Sequence, residues 1–190
     1  MDLIKWKAID ADAPVISDII FKLSDFYKLS LNNGREFVTI SEEIRHVTDY
    51  VQLQNYRFET DIQLIVEMPD ELLEYKIPKI TLQPLVENSI QHGFIVKEDK
   101  NDCFIELYGW REGEDITLLI KDNGAGIPQE QLEHILSSNE SSYTHGYGIR
   151  NIHERIQLYC GEDYGLSYES RLLEGTSVTV RLHAFQNGDM

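Results

Sequence analysis

The chain has 190 residues, 42% of them hydrophobic, enough to bury a core in one domain with an appendage. Its 17 basic against 33 acidic residues give a formal charge of -16, which sets most of the surface against DNA, RNA and anionic membranes. A polyanionic ligand would need a locally organised pocket. No apolar run reaches the roughly 18 residues that span a bilayer, and Met1-Asp2-Leu3-Ile4-Lys5 lacks a signal-peptide layout, so the chain as given is expected to be cytoplasmic.

The first third is helical by period. From Val15, the residues Ile16, Ile19, Ile20, Leu23, Phe26 and Tyr27 recur at three- and four-residue steps, and Asn32-Asn33-Gly34 supplies a stop. Thr39 followed by Glu42 is a capping box, and Ile40, Ile44, Val47 and Val51 mark the buried stripe of a second helix ending near Phe58. His46, beside Arg45, is expected on that helix's surface. Ile62, Leu64, Val66 and Met68 alternate with Gln63 and Glu67, a strand closed by Pro69-Asp70, and a mixed α/β region begins here. Cys103 and Cys160 are far apart without a CxxC spacing and read as reduced thiols packed as small hydrophobes. The polar stretch 137–142 suits a mobile loop.

Three later segments carry chemistry. In the first, Leu82 to Phe94, a helix starting near Thr81 places Pro84 in its first turn, where the missing N–H costs nothing. Leu82, Leu85, Val86 and Ile90 form its core face, with Asn88 and His92 one turn apart on another face. A carboxamide oxygen can ligate Mg²⁺ and an imidazole can meet phosphate oxygens, although Glu87, Asn88 and His92 would equally serve as the wet side of an amphipathic helix. In the second, a β-branched strand from Ile116 runs into Asp122-Asn123-Gly124-Ala125-Gly126-Ile127, and Pro128 starts a helix. The glycines permit positive φ and close approach to a ligand, and a buried Asp122 could accept from an adenine amine; ordinary turn chemistry explains the same residues. In the third, Gly146-Tyr147-Gly148-Ile149 opens a helix whose N–H groups and dipole could meet phosphates, or is simply a flexible hinge.

In series, these segments resemble the GHKL superfamily of ATPases and kinases, with an N box at Glu87-Asn88 and glycine boxes at Asp122 to Gly126 and at Gly146-Tyr147-Gly148. Gly175-Thr176-Ser177-Val178 is similar to the family's closing strand. Phe37-Val38-Thr39-Ile40, Ile77-Pro78, Leu82 to Asn88 and Arg150-Asn151-Ile152-His153-Glu154-Arg155 look like the LytS-like sensor histidine kinases, which extends the resemblance over nearly the whole chain.

The resemblance implies an α/β (α+β) two-layer sandwich of the Bergerat type over residues 35–190, preceded at 1–34 by a remnant of the dimerisation and phosphoacceptor helices. It implies an ATP site in which Asn88 holds Mg²⁺, His92 contacts phosphate, Asp122 reads adenine and Thr176 lies close to the base. Gly124, Gly126, Ile127, Gly146, Tyr147, Gly148 and Ile149 would shape the pocket and a lid at 137–145. Glu87 would polarise the reaction beside Asn88; adjacent helix residues face different ways, so it is not assigned as the base. By the same resemblance the partners are a phosphoacceptor histidine region, a response regulator and a second copy of the full protein, which would be anchored in the cell membrane with this module on the cytoplasmic side; nucleic acid is not expected. The family's Asn-Pro-His-Phe acceptor motif is missing: none of His46, His92, His134, His145, His153 and His183 has Pro before it and Phe after it. The chain therefore reads as the donor half of a phosphotransfer reaction that cannot phosphorylate itself. Two alternatives are a GHKL-type ATPase, against which Pro84 stands where those enzymes usually carry a glutamate, and a nucleotide-dependent switch without kinase activity.

Overall fold

The computed structural model describes residues 2–31, 34–97, 102–132 and 147–185. The expected stop at Asn32-Asn33, the lid at 137–145 and Gly146 lie outside them. Helices α1 (Asp2–Asp10) and α2 (Pro14–Leu31) form a hairpin that turns at Asp12, where φ is 52°. Strand β1 (Phe37–Thr39) leads into α3 (Ile40–Phe58). The capping box is present: Glu42 N donates to Thr39 Oγ1 at 3.1 Å and Thr39 N to Glu42 Oε2 at 2.9 Å.

His46 is only 2% exposed, contrary to its expected surface position. The reason is that α3 is covered on two sides, by α2 as well as by the α/β core. His46 stacks on Phe26 with ring centroids 4.4 Å apart, and its Nε2 lies 3.0 Å from Ser30 Oγ. Around this contact Arg45 pairs with Asp25, and Tyr56 donates to Asp18 at 2.8 Å.

The remaining strands are β2 (Gln63–Glu67), β3 (Lys76–Pro78), β4 (Phe104–Glu112), β5 (Asp115–Asp122), β6 (Gly165–Arg171) and β7 (Gly175–His183). β1 and β3 make a small antiparallel pair, and the main sheet runs β2-β4-β5-β7-β6. Only β2 and β4 are parallel, so the sheet is mixed. Helices α4 (Gln83–Asn88), α5 (Gln129–Leu132) and α6 (Tyr147–Cys160) complete the elements.

Alternation along the strands creates the core. Ile105 and Leu107 on β4, Ile116, Leu118 and Ile120 on β5, and Val178, Val180 and Leu182 on β7 point to one face, where they meet Val47, Leu85, Ile90, Ile152 and Ile156 from the helices. Each fully buried Ile or Leu contributes about 1.5–3 kcal/mol of transfer free energy. The result is two layers, helices on one face of the sheet. No helix among the described residues is long and apolar enough to cross a membrane.

Candidate functional site

The period of two that buries Ile116, Leu118 and Ile120 places Asp122 on the same face, at the end of the strand. Its carboxylate is 5% exposed and lies beneath α4. Ser89 Oγ donates to Oδ2 at 2.7 Å, and Oδ1 accepts Gly124 N at 2.9 Å and Thr176 N at 3.2 Å. An ionised carboxylate offers about four lone-pair positions, and these donors use three. Among the described residues, one acceptor position remains, on Oδ2. Burial raises the pKa of Asp122 above the ordinary carboxylate value, while the three hydrogen bonds and the charge of Lys97 pull it back.

Backbone builds the walls around that carboxylate. Gly124 meets Gly93 so closely that a Cβ there would lie 2.6 Å from the Gly93 Cα, and Ala125 N donates to Gly93 O at 3.0 Å. The need for glycine at Gly124 is this approach of loop to helix; its φ is not positive, unlike that of Gly126 at 71°. A Cβ on Gly126 would strike the Arg171 carbonyl, and one on Gly175 the carbonyl of Asp122. Ile127 N donates to Ser170 Oγ at 2.8 Å, and that hydroxyl lies 2.9 Å from Thr176 Oγ1. The loop 123–127 is thus clamped between α4 and the β6–β7 hairpin.

The helix carrying Asn88 changes winding directly after it. Residues Ser89–Phe94 continue α4 as a π-helical segment, with Ile95 N reaching back to Ile90 O at 3.0 Å. The expected regular helix through His92 is therefore widened over its second half. π segments of this kind recur at functional sites. Asn88 is half-buried and makes no side-chain hydrogen bond among the described residues; His92 is exposed. Glu87 points elsewhere: it accepts from Gln91 Nε2 at 2.7 Å, and its charge reaches Tyr50 on α3, whose hydroxyl is pushed up to about 12 by burial first and by Glu87 second.

From the other side, α6 brings its first turn to α4. Tyr147 opens the helix, Ile149 is buried in the core, and among the described residues a Cβ on Gly148 would have only Pro84 near it, at 3.9 Å. Asp122, Gly124, Ile127 and Thr176 are thus linked by hydrogen bonds to the π segment and the β6–β7 hairpin, Gly126 lies against the Arg171 carbonyl, Gly148 lies beside Pro84 in the first turn of α4, and Glu87 faces α3.

Sequence reasoning passed over Ser89, Ser170 and Lys97, whose Nζ donates to Asn123 O at 3.1 Å. For Ser89 a signal existed. It stands one turn after Leu85 on the core stripe, a buried hydroxyl where an apolar residue is expected.

Residues 76–186 match the family model described as histidine kinase-, DNA gyrase B-, and HSP90-like ATPase, and residues 1–62 match the histidine kinase model. The chain is 34% identical over 174 residues to the sensor histidine kinase BtsS of Escherichia coli K12, covering 92% of this chain and 29% of that protein. To the sensor histidine kinase YesM of Bacillus subtilis it is 31% identical over 182 residues, 96% of this chain and 30% of that one. It thus spans less than a third of these relatives' length. Among solved structures, the catalytic domain of histidine kinase ThkA superposes with a TM-score of 0.59 at 20% identity, covering 80% of this chain and 99% of that one. The histidine kinase domain of the blue-light activated kinase from Erythrobacter litoralis gives 0.56 at 14% identity, covering 95% of this chain and 81% of the other. These two likenesses speak to the fold. With the family model matched across most of the sheet and the glycine-walled cluster, the chain belongs to the histidine kinase-, DNA gyrase B- and HSP90-like ATPase family, as the ATP-binding region of a sensor histidine kinase of the LytS, YesM and BtsS type.

Proposed function

We propose that this chain binds Mg-ATP at the Asp122 cluster and presents the γ-phosphoryl group to a histidine carried on another segment. The observation that carries this reading is the one acceptor position that the described residues leave on Asp122, at a carboxylate enclosed by Gly93, Gly124 and Thr176. Adenine offers an amine hydrogen there, whereas guanine offers a carbonyl oxygen that a carboxylate repels. The site therefore selects ATP over GTP.

The chain's charge of -16 opposes a nucleotide polyanion, so phosphate affinity must come from oriented local groups. The N-terminus of α6 supplies N–H groups and the positive end of its dipole close to α4. Asn88, with its carboxamide uncommitted among the described residues, would hold Mg²⁺ against the phosphates, and His92 would meet phosphate oxygen. Gly146 and Tyr147 would contribute backbone to the phosphate side, and Ile127 and Ile149 its apolar edges. Bound Mg-ATP would supply the phosphoryl group, and its metal ion would neutralise the charge that develops during transfer. The protein's part is positioning. Glu87, engaged with Gln91 and near Tyr50, is not assigned as a base.

In this reading residues 1–34 are the helical region that connects to the acceptor histidine, residues 35–190 are the catalytic domain, and the full-length protein is a membrane-anchored dimer that passes phosphate to a response regulator. Because the chain holds no Asn-Pro-His-Phe segment, it does not phosphorylate itself. Calorimetric titration with Mg-ATP and Mg-GTP tests the nucleotide reading. Saturable binding of Mg-ATP, with Mg-GTP weaker by about tenfold or more, supports it; equal binding of both, or of neither, rules it out.

A further inference from the structure

The entry to the Asn88 helix is held from two sides at one residue. Glu43, on α3, is 2% exposed, and its carboxylate accepts three consecutive backbone N–H groups, those of Ile80, Thr81 (3.0 Å) and Leu82 (2.9 Å). It thereby caps α4 with a negative charge from a helix 37 or more residues away in sequence. Arg155, on α6, donates Nη2 to the Ile80 carbonyl at 3.0 Å and feels the charge of Glu43. Ile80 is therefore gripped at its N–H by α3 and at its C=O by α6.

Ile80 itself needs holding. Its φ is 57°, a left-handed conformation that a β-branched residue adopts only where its surroundings impose it. Neither grip is needed for a generic helix start. A solvent-exposed turn or a small capping residue would satisfy the same N–H groups without burying a carboxylate. Glu43 and Arg155 instead link three elements: α3, which packs on the α1–α2 hairpin; α4, which carries Asn88; and α6, whose first turn holds Gly148.

We propose that Glu43 and Arg155 are positioning residues that set the Asn88 helix through Ile80, coupling the α2–α3 side of the molecule to the nucleotide site. This rests on the reading of the Asn88 helix as part of that site. A shift of α3 against α6 moves Ile80 relative to both grips and with it the first turn of α4. By reciprocity, nucleotide bound between α4 and α6 favours the arrangement in which both grips are made.

The test compares Mg-ATP affinity and nucleotide-free thermal stability for the 190-residue chain and its Glu43→Gln, Arg155→Met and doubly substituted variants. Each single change is expected to weaken Mg-ATP binding by about tenfold. The double variant should lose clearly less than the product of the two, because both act on Ile80. Lower stability with unchanged affinity, or strictly multiplicative losses, overturns the proposal. On the unsubstituted protein, Mg-ATP should slow amide exchange at Thr81 and Leu82 more than at Val180 in the sheet; equal slowing also overturns it, even if Glu43→Gln does not fold. If the unsubstituted chain takes up no Mg-ATP, the nucleotide reading falls first; if it does and the variants bind equally well, only the coupling falls.

Discussion

Ser89 Oγ donates to Asp122 Oδ2 at 2.7 Å, tying the residue after Asn88 to the strand-end carboxylate 33 positions along the chain. This bond fixes the distance between the groups assigned to metal and to adenine. Ser89→Ala leaves a buried carboxylate with one donor fewer, which costs about 1–3 kcal/mol of stability. Because Ser89 holds the carboxyl down, its loss moves Asp122 further above the ordinary carboxylate range. Chemical denaturation and a pH titration of Mg-ATP binding check both effects; in the variant, tight binding should require a higher pH.

Asp122→Asn keeps an oxygen for the Gly124 and Thr176 amides, so the fold should survive. The new amide nitrogen donates where adenine also donates. Mg-ATP affinity should fall by about tenfold or more, 1.4 kcal/mol or above, and the preference over Mg-GTP should narrow. Affinity equal to the parent's would remove the adenine role from this residue.

Two glycines should part company. In Gly124→Ala the new Cβ meets the Gly93 backbone at 2.6 Å and neither strand end nor π segment can yield cheaply, so stability should drop by about 2–4 kcal/mol. Gly148→Ala meets, among the described residues, only Pro84 at 3.9 Å and lies in a helix, where Ala is favoured by up to about 1 kcal/mol. Its thermal midpoint should hold or rise while Mg-ATP binding weakens. A Gly148→Ala protein that binds normally would show that the first turn of α6 does not approach the phosphates.

Local patterns were legible in the sequence, and long-range polar contacts were not. The Thr39–Glu42 capping box depends on residues three apart, and the strand alternation that buries Asp122 is readable from Ile116 onward. Glu43 sits on the same buried stripe as Ile40 and Val47, which marks it as an anomaly, but its partners at Ile80 to Leu82 exist only once α3 lies across α4. Gly124 suggested positive φ and close approach to a ligand, whereas its constraint is the neighbouring Gly93, contributed by another segment. His46 was misplaced because an amphipathic period shows one buried face, and α3 has a second one against α2. The π-helical winding after Asn88 has no periodic signal of its own in six residues.

That second face gives α3 a pH response. Burial lowers the pKa of His46 below its ordinary value of 6.5, so the unfolded chain takes up a proton before the folded protein does. The resulting stability is complete above 6.5 and is lost as pH falls through the lower folded value. Thermal midpoints of the parent should drop between about pH 7.5 and about pH 5.5 by more than those of His46→Gln. Parallel curves would mean that His46 does not titrate with unfolding.

The most direct measurement supplies labelled Mg-ATP to two proteins: the 190-residue chain, and a longer version that places an Asn-Pro-His-Phe segment ahead of Asp2. The longer protein should acquire acid-labile, base-stable phosphate on the introduced histidine, and the Asp122→Asn change should slow that labelling markedly at subsaturating Mg-ATP. The shorter chain should stay unlabelled while binding nucleotide. Acid-labile phosphate on the shorter chain, or none on the longer one despite bound Mg-ATP, would contradict the assignment of this site as a donor to an external histidine.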